Sequence, residues 1–215
     1  MVHQLLSDPE VFQQFATALG ASNIGFGFVL KFEENGIFPP EDIKTVPIAV
    51  ITCSPVVPVQ TLPEDKHYET NDLFFTKQEI SNTCGSIAIL HALLNNPLHI
   101  KFQNNSFLDN FKNEVKGKMP SEIGKILANK EEFLKLHNIG SEFGESSIKD
   151  SEENHFVCYV LNSGKIVSLD GRTEKPFIIA ENSSEINFLD DCFAYLKEKV
   201  KTIPSMSAIY MYAKT

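Results

Sequence analysis

The sequence predicts an α/β (α+β) domain organised around a central, mostly antiparallel sheet, and three observations lead there. Helix-like and strand-like segments interleave along the chain, with helical ones predominating in its first half. Pro47–Cys53 is β-branched and apolar throughout, the pattern of a central strand. His155–Leu161 and Lys165–Leu169 are strand-like runs split by the turn signal Asn162-Ser163-Gly164, which predicts a hairpin. At 215 residues the chain fits one domain, 1–215, long enough to bury a sizeable core.

Ser7-Asp8-Pro9-Glu10 opens the first helix, with Pro9 at its first position. Val11, Phe12, Phe15 and Leu19 form its apolar face, and Gly20 ends it. Phe26–Phe32 is a mixed apolar run, either a strand or a turn-rich segment, and Ile37–Ile43 holds a short helix from Glu41. The polar stretch from Pro55 to Asp72 predicts a long surface loop. After Asn95-Asn96-Pro97, amphipathic helices are expected over Asn105–Lys116, Pro120–Ala128 and Lys130–His137. Asn138–Asn154, with Gly140, Gly144 and four serines, predicts a mobile surface loop. Ser184–Lys201 reads as a helix with Ile186, Leu189, Phe193 and Leu196 inside, and Met206–Tyr212 as the final strand.

Composition narrows the function classes. Apolar residues make up 42% and charged residues 22%, an ordinary globular balance. The net charge of −9 has the wrong sign for a nucleic-acid binder; an acidic surface suits a basic partner or solubility. The cysteines at 53, 84, 158 and 192 show no framework spacing, and Cys53 and Cys158 lie in apolar runs that read as buried. Met1–Gln14 lacks a secretory pattern, and Val46–Val59 is too short and too proline-interrupted to span a bilayer. These features predict a soluble, reduced, cytoplasmic monomer that binds neither nucleic acid nor membrane. The Asn-X-Ser matches at Asn104 and Asn182 are then chance.

The chemistry concentrates in Lys77–Leu94. Ser81, Asn82 and Thr83 are cap-type residues before an apolar run, so a helix should begin there with Cys84 in its first turn. Unpaired N–H groups and the positive end of the dipole favour a thiolate at that position. Gly85 removes a side chain beside the sulfur. Spacing alone leaves open a buried free cysteine at a helix start.

A cysteine nucleophile needs a base, and the base an orienting group. His3, His67 and His99 lie in polar or terminal surroundings and read as surface residues. His91 is seven residues after Cys84, points away from the sulfur and reads as a core histidine; His137 ends a helix, where partial positive charge suits the dipole. His155 is placed by the hairpin. With Asn162-Ser163 as a two-residue loop, Leu161 faces Gly164 and His155 directly faces Asp170, Cβ atoms roughly 4.5–5.5 Å apart. A carboxylate there would fix the imidazole tautomer and stabilise the imidazolium. A three-residue loop shifts that pairing by one, and any hairpin sets some residue opposite a histidine, so spacing leaves the pair's role open. Gln78 carries an amide able to donate to an oxyanion, but its residue type alone reads better as a solvated glutamine. His155 and Cys158 face opposite sides of a strand and cannot chelate a metal together. The absence of C-x-x-C disfavours a thioredoxin-like oxidoreductase.

Gln78, six residues before Cys84, with Ser81-Asn82-Thr83-Cys84-Gly85-Ser86-Ile87, resembles the signature of the ubiquitin C-terminal hydrolases, a family of cysteine peptidases. The resemblance continues in His155-Phe156-Val157 and Leu169-Asp170-Gly171-Arg172, and more weakly over nearly the whole chain. It implies the papain-like cysteine-protease architecture, helices on both sides of the sheet, and a knotted backbone. It implies Cys84 as nucleophile, His155 as general base and acid, Asp170 as the group orienting His155, and Gln78 as oxyanion stabiliser, with no cofactor or metal. The implied partner is ubiquitin or a ubiquitin-like protein, and the implied reaction is hydrolysis through a thioester. It also implies that Asn138–Asn154 is a crossover loop over the cleft, short enough to favour small leaving groups. A ubiquitin-binding protein with little turnover is the other expectation; the four intact residues favour the enzyme.

Overall fold

The computed structural model describes residues 3–28, 46–58, 66–70, 72–142, 154–203 and 205–214. Helix α1 (Pro9–Ala18) begins as the sequence predicts. The Asp8 carboxylate accepts hydrogen bonds from the Glu10 and Val11 amides, while Pro9 has no N–H to satisfy. Strands β1 (Ala21–Ser22) and β2 (Ile24–Phe28) follow, so the ambiguous run is a strand as far as Phe28. The rest of that run and the expected helix from Glu41 lie outside the described residues.

Strand β3 (Pro47–Pro55) pairs with β5 (Asn154–Asn162) and β8 (Ser207–Ala213), β6 (Lys165–Leu169) and β7 (Phe177–Glu181) extend the sheet, and β4 (Lys101–Phe102) pairs with β1 apart from it. The six-stranded sheet has the order β2-β8-β3-β5-β6-β7. Every pairing in it is antiparallel. Ile48 to Cys53 are all buried, which is why this strand reads as a continuous apolar run instead of an alternating one.

One face of the sheet is covered by α1 and α2 (Cys84–Leu94), and α3 (Phe107–Glu114), α4 (Pro120–Ala128) and α5 (Glu131–Glu142) join the same core. Every residue of α2 is buried. Phe12, Phe15, Ile89, Leu90, Leu93, Phe111 and Phe133 fill this core without solvent exposure. Each such side chain contributes roughly 1.5–3 kcal/mol relative to an exposed one. The other face is covered by α6 (Phe188–Val200), packed on Val50, Tyr159, Ile166 and Tyr210. Helices thus flank both sides of the sheet, as expected. Among the described residues no helix is long and apolar enough to cross a membrane.

The largest departures from expectation are at two helix boundaries. Helix α6 starts at Phe188, because residues 185–187 form a turn closed by the Asn187 amide on the Ser184 carbonyl. Ile186, expected inside, is 92% exposed on that turn. Helix α5 does not end at His137 but runs to Glu142, so residues 138–142 are helix and not loop. Their polar composition hides a packing surface: a Cβ on Gly140 would lie 3.1 Å from both Leu5 Cδ2 and Phe15 Cδ2, so the bare backbone is what docks. Residues 143–153, the remainder of the expected crossover loop, lie outside the described residues.

Helix α4 abuts the segment leading into α2 in the same way. A Cβ on Gly124 would lie 2.6 Å from the Lys77 carbonyl oxygen and 2.8 Å from Glu79 Cγ. In an open helix Gly→Ala stabilises by about 1 kcal/mol. At this site Gly124→Ala should instead destabilise by about 1–3 kcal/mol, because the backbone of Lys77–Glu79 must move. Urea unfolding measures the difference; a stabilised Gly124→Ala variant would contradict the contact.

Candidate active site

Cys84 is the first residue of α2 and is 4% exposed. The helix starts where predicted, but its cap differs. The N-cap Thr83 makes no side-chain cap bond: its hydroxyl donates to the Ile80 carbonyl instead, and Asn82 takes a left-handed φ of 66°. The first turn also carries no acid, so the positive end of the helix stands unopposed beside the sulfur. Gly85 allows α2 to approach closely: a Cβ there would meet Leu5 Cβ at 3.2 Å and Phe156 Cδ2 at 3.5 Å. That contact sets the sulfur against the first residues of β5. Cys84 Sγ lies 3.8 Å from the Asn154 carbonyl oxygen.

His155 is the second residue of β5 and hydrogen-bonds through Nε2 to Asp170 Oδ1 at 2.7 Å, with both side chains buried. The hairpin does not reach this geometry by the expected register. Asn162 pairs with Lys165 and Leu161 with Ile166, so the two-residue loop is Ser163-Gly164. Both loop residues have positive φ, 48° and 76°, as a primed hairpin turn requires, and Gly164 adopts that conformation without strain. The pairing is therefore displaced by two residues: Cys158, not Phe156, faces Leu169. A displacement of two keeps every side chain on its face of the sheet. Asp170, one residue beyond β6, sits diagonally from His155 instead of directly opposite, still within reach.

The electrostatics follow from burial set against partners. Burial alone would push the Cys84 thiol up, but the His155 hydrogen bond and charge, the Gln4 side chain and the Phe156 amide outweigh it and lower its pKa. Burial would lower His155, yet its hydrogen bonds to Asp170 and Cys84 raise it. With Nε2 engaged by Asp170, Nδ1 is the ring nitrogen left for the sulfur. Asp170 accepts from the Arg172 amide at 2.9 Å and pairs with the Arg172 guanidinium at 3.3 Å. Against the cost of burial, His155 and Arg172 pull its carboxyl down to about 2. Cysteine, histidine and carboxylate thus form one buried chain in which each charge stabilises the next. Such an arrangement can generate a thiolate and return a proton to a leaving group.

Gln78 lies beside this chain. Its backbone N–H donates to the Gly171 carbonyl, and Nε2 donates to the Ile80 carbonyl at 3.0 Å. Its Oε1 is buried and has no hydrogen-bond partner among the described residues. His91 is a core histidine: Nε2 accepts from the Thr76 amide, and burial lowers its pKa to about 4. His137 is not at a helix end but buried within α5, where burial lowers its pKa. It joins the Ser86 hydroxyl at 2.7 Å and donates to the His3 carbonyl at 2.7 Å. His3 and His67 are exposed, and His99 is half-buried against Glu185. Gln4 is a site residue that sequence reasoning missed: its Nε2 lies 3.1 Å from Cys84 Sγ. No local pattern marks it, because the contact joins residues 80 apart in the chain.

A buried cysteine on a helix N-terminus, with a histidine and an aspartate on a facing hairpin, is the arrangement a cysteine peptidase requires. The family model described as "Ubiquitin carboxyl-terminal hydrolase, family 1" matches residues 2–201, and the chain belongs to this family of cysteine-type ubiquitinyl hydrolases. Ubiquitin carboxyl-terminal hydrolase 3 of Arabidopsis thaliana is 27% identical over 212 residues, covering 93% of this chain and 88% of the relative. A ubiquitin carboxyl-terminal hydrolase of Aplysia californica is 29% identical over 216 residues, covering 94% and 96%. The fold matches the catalytic domain of Trichinella spiralis UCH37, solved bound to ubiquitin vinyl methyl ester. The TM-score is 0.78 at 19% identity, over 100% of this chain and 96% of that one.

The Asp170 carboxyl is held at about 2 in the folded chain, below its ordinary value of 3.8. Its ionised form therefore stabilises the fold above about pH 4, and the contribution, roughly 2 kcal/mol, is lost as pH falls through 2. The unfolding free-energy gap between wild type and Asp170→Asn should be full at pH 5 and shrink by about that amount toward pH 2. A gap independent of pH would contradict the pairing.

Proposed function

We propose that this chain is a deubiquitinating thiol hydrolase that releases small adducts or peptides from the C-terminal glycine of ubiquitin. The observation that carries the reading is His155, hydrogen-bonded to Asp170 and electrostatically coupled to the Cys84 sulfur. His155 takes the thiol proton, and the Cys84 thiolate attacks the carbonyl carbon of the terminal glycine. The negative charge moves to the carbonyl oxygen, where the backbone N–H of Cys84 and the Gln78 amide stabilise it. Gln78 Nε2 uses one hydrogen on Ile80 and keeps a second for that oxygen. Collapse expels the amine, which takes its proton from His155 and leaves a thioester. Water, deprotonated by His155, then attacks the thioester and returns the thiolate. Asp170 holds the imidazole in the tautomer and orientation that both steps need.

Ubiquitin is the substrate most consistent with the family, and a ubiquitin-like protein with a similar C-terminal tail is the other candidate. We read the enzyme as a cytoplasmic monomer whose residues 1–215 act as one catalytic domain.

The test is hydrolysis of a fluorogenic amide at the ubiquitin C-terminus. Wild type should turn it over, and cleave diubiquitin more slowly. Cys84→Ala should lose turnover and still bind ubiquitin, because the contact surface far exceeds one sulfur. Asp170→Asn should lower kcat/KM at least about tenfold. A wild-type chain that binds ubiquitin without releasing fluorophore would be a binding protein, and a change within about twofold in Asp170→Asn, ~0.4 kcal/mol, would remove Asp170 from the mechanism.

A further inference from the structure

We propose that Gln4 is a further residue of the catalytic machinery, its side-chain amide holding the Cys84 sulfur in the thiolate form. The proposal rests on Cys84 being the nucleophile.

The Gln4 amide nitrogen lies 3.1 Å from Cys84 Sγ and also within hydrogen-bonding distance of the Asn154 carbonyl oxygen. That carbonyl fixes the amide's orientation. Turned over, the side-chain oxygen would face both a carbonyl oxygen and the sulfur, two acceptors or partial negative charges. Upright, the two amide hydrogens divide between Asn154 and Cys84. A hydrogen-bond donor aimed at sulfur favours the anion, because the neutral thiol is a weak acceptor and the thiolate a strong one.

The backbone on either side of Gln4 is anchored, so this contact is built into the fold. His137 of α5 donates to the His3 carbonyl, and Ser86 of α2, two residues after Cys84, orders that imidazole from its other nitrogen. Leu5 is 2% exposed and packs where Gly85 and Gly140 leave room for it. Ser7 pairs with Ser207 of β8, and Asp8 caps α1. The residues before and after Gln4 are thus tied to α5, α2, β8 and α1, and the side chain is delivered to the sulfur.

The groups facing Cys84 divide the work. From β5 come the His155 imidazole, the Phe156 amide and the Asn154 carbonyl, 3.8 Å from the sulfur; from β3 comes Cys53, whose thiol burial pushes up to about 12 and keeps neutral. Gln4 adds a neutral donor that does not transfer its proton. When His155 gives its proton to the leaving amine the sulfur is bonded to the acyl carbon, and the Gln4 amide remains beside it. The same contact stabilises sulfur as the leaving group when water opens the thioester.

The experiment is alkylation of the substrate-free protein by iodoacetamide across a pH series, in wild type, Gln4→Leu and Gln4→Glu. Burial raises the thiol pKa of Cys53, Cys158 and Cys192, so alkylation in the neutral range reports Cys84. Removing the donor in Gln4→Leu should move the alkylation midpoint to higher pH and slow the reaction at pH 6 about tenfold. Gln4→Glu keeps the shape but sets a carboxylate beside the sulfur, and should move the midpoint further; its folding under urea checks the pair. If the midpoint stays in place in the folded variants, the proposal is overturned, and a faster reaction at unchanged midpoint would make Gln4 a plug over the sulfur. No ubiquitin enters the assay, so a negative result leaves the proposed hydrolase activity standing.

Discussion

The site depends on one packing contact, the seat of the first turn of α2 on the first residues of β5. Gly85 makes it by offering bare backbone where Phe156 and Leu5 need space. Cys84 and His155 are far apart in sequence and belong to different layers, and this contact sets the sulfur beside the imidazole. Once seated, the charges depend on one another. A thiolate or an imidazolium buried alone would cost several kcal/mol in lost hydration. Here each has an opposite partner, and the last carboxylate is steadied by Arg172 at the protein's edge. Removing any member leaves a buried charge without compensation, which is costlier than the mean worth of an ion pair.

Much of this was legible in the sequence because its causes are local. Cap-type residues before an apolar run place the start of α2, and Asp8-Pro9 places the start of α1 to the residue. The unbroken apolar run of β3 states that both its faces and both its edges are covered. The hairpin is more instructive. The loop is Ser163-Gly164 and not Asn162-Ser163, yet His155 and Asp170 still meet. The error was an even number of residues, and side chains alternate with period two, so the face was preserved while the partner changed. An error of one would have sent Asp170 to the opposite side.

What was not legible has long-range causes. The final residues of α5 look like loop because their side chains are polar, while the packing surface is the backbone of Gly140 against Leu5 and Phe15. His137 looks like a helix terminus until that extension buries it and turns it toward Ser86 and His3. Gln4 belongs to the same set of contacts. Each follows from where a neighbouring element comes to rest, and no window of sequence contains both partners.

The account turns on Cys84 being the sulfur that meets the ubiquitin C-terminus. Ubiquitin carrying a C-terminal vinyl methyl ester, incubated with the protein and followed by intact mass and peptide mapping, tests this most directly. The account predicts a single adduct on Cys84, none on Cys53, Cys158 or Cys192, and no adduct in Cys84→Ala. An adduct that persists in Cys84→Ala, or that maps to another cysteine, would contradict it.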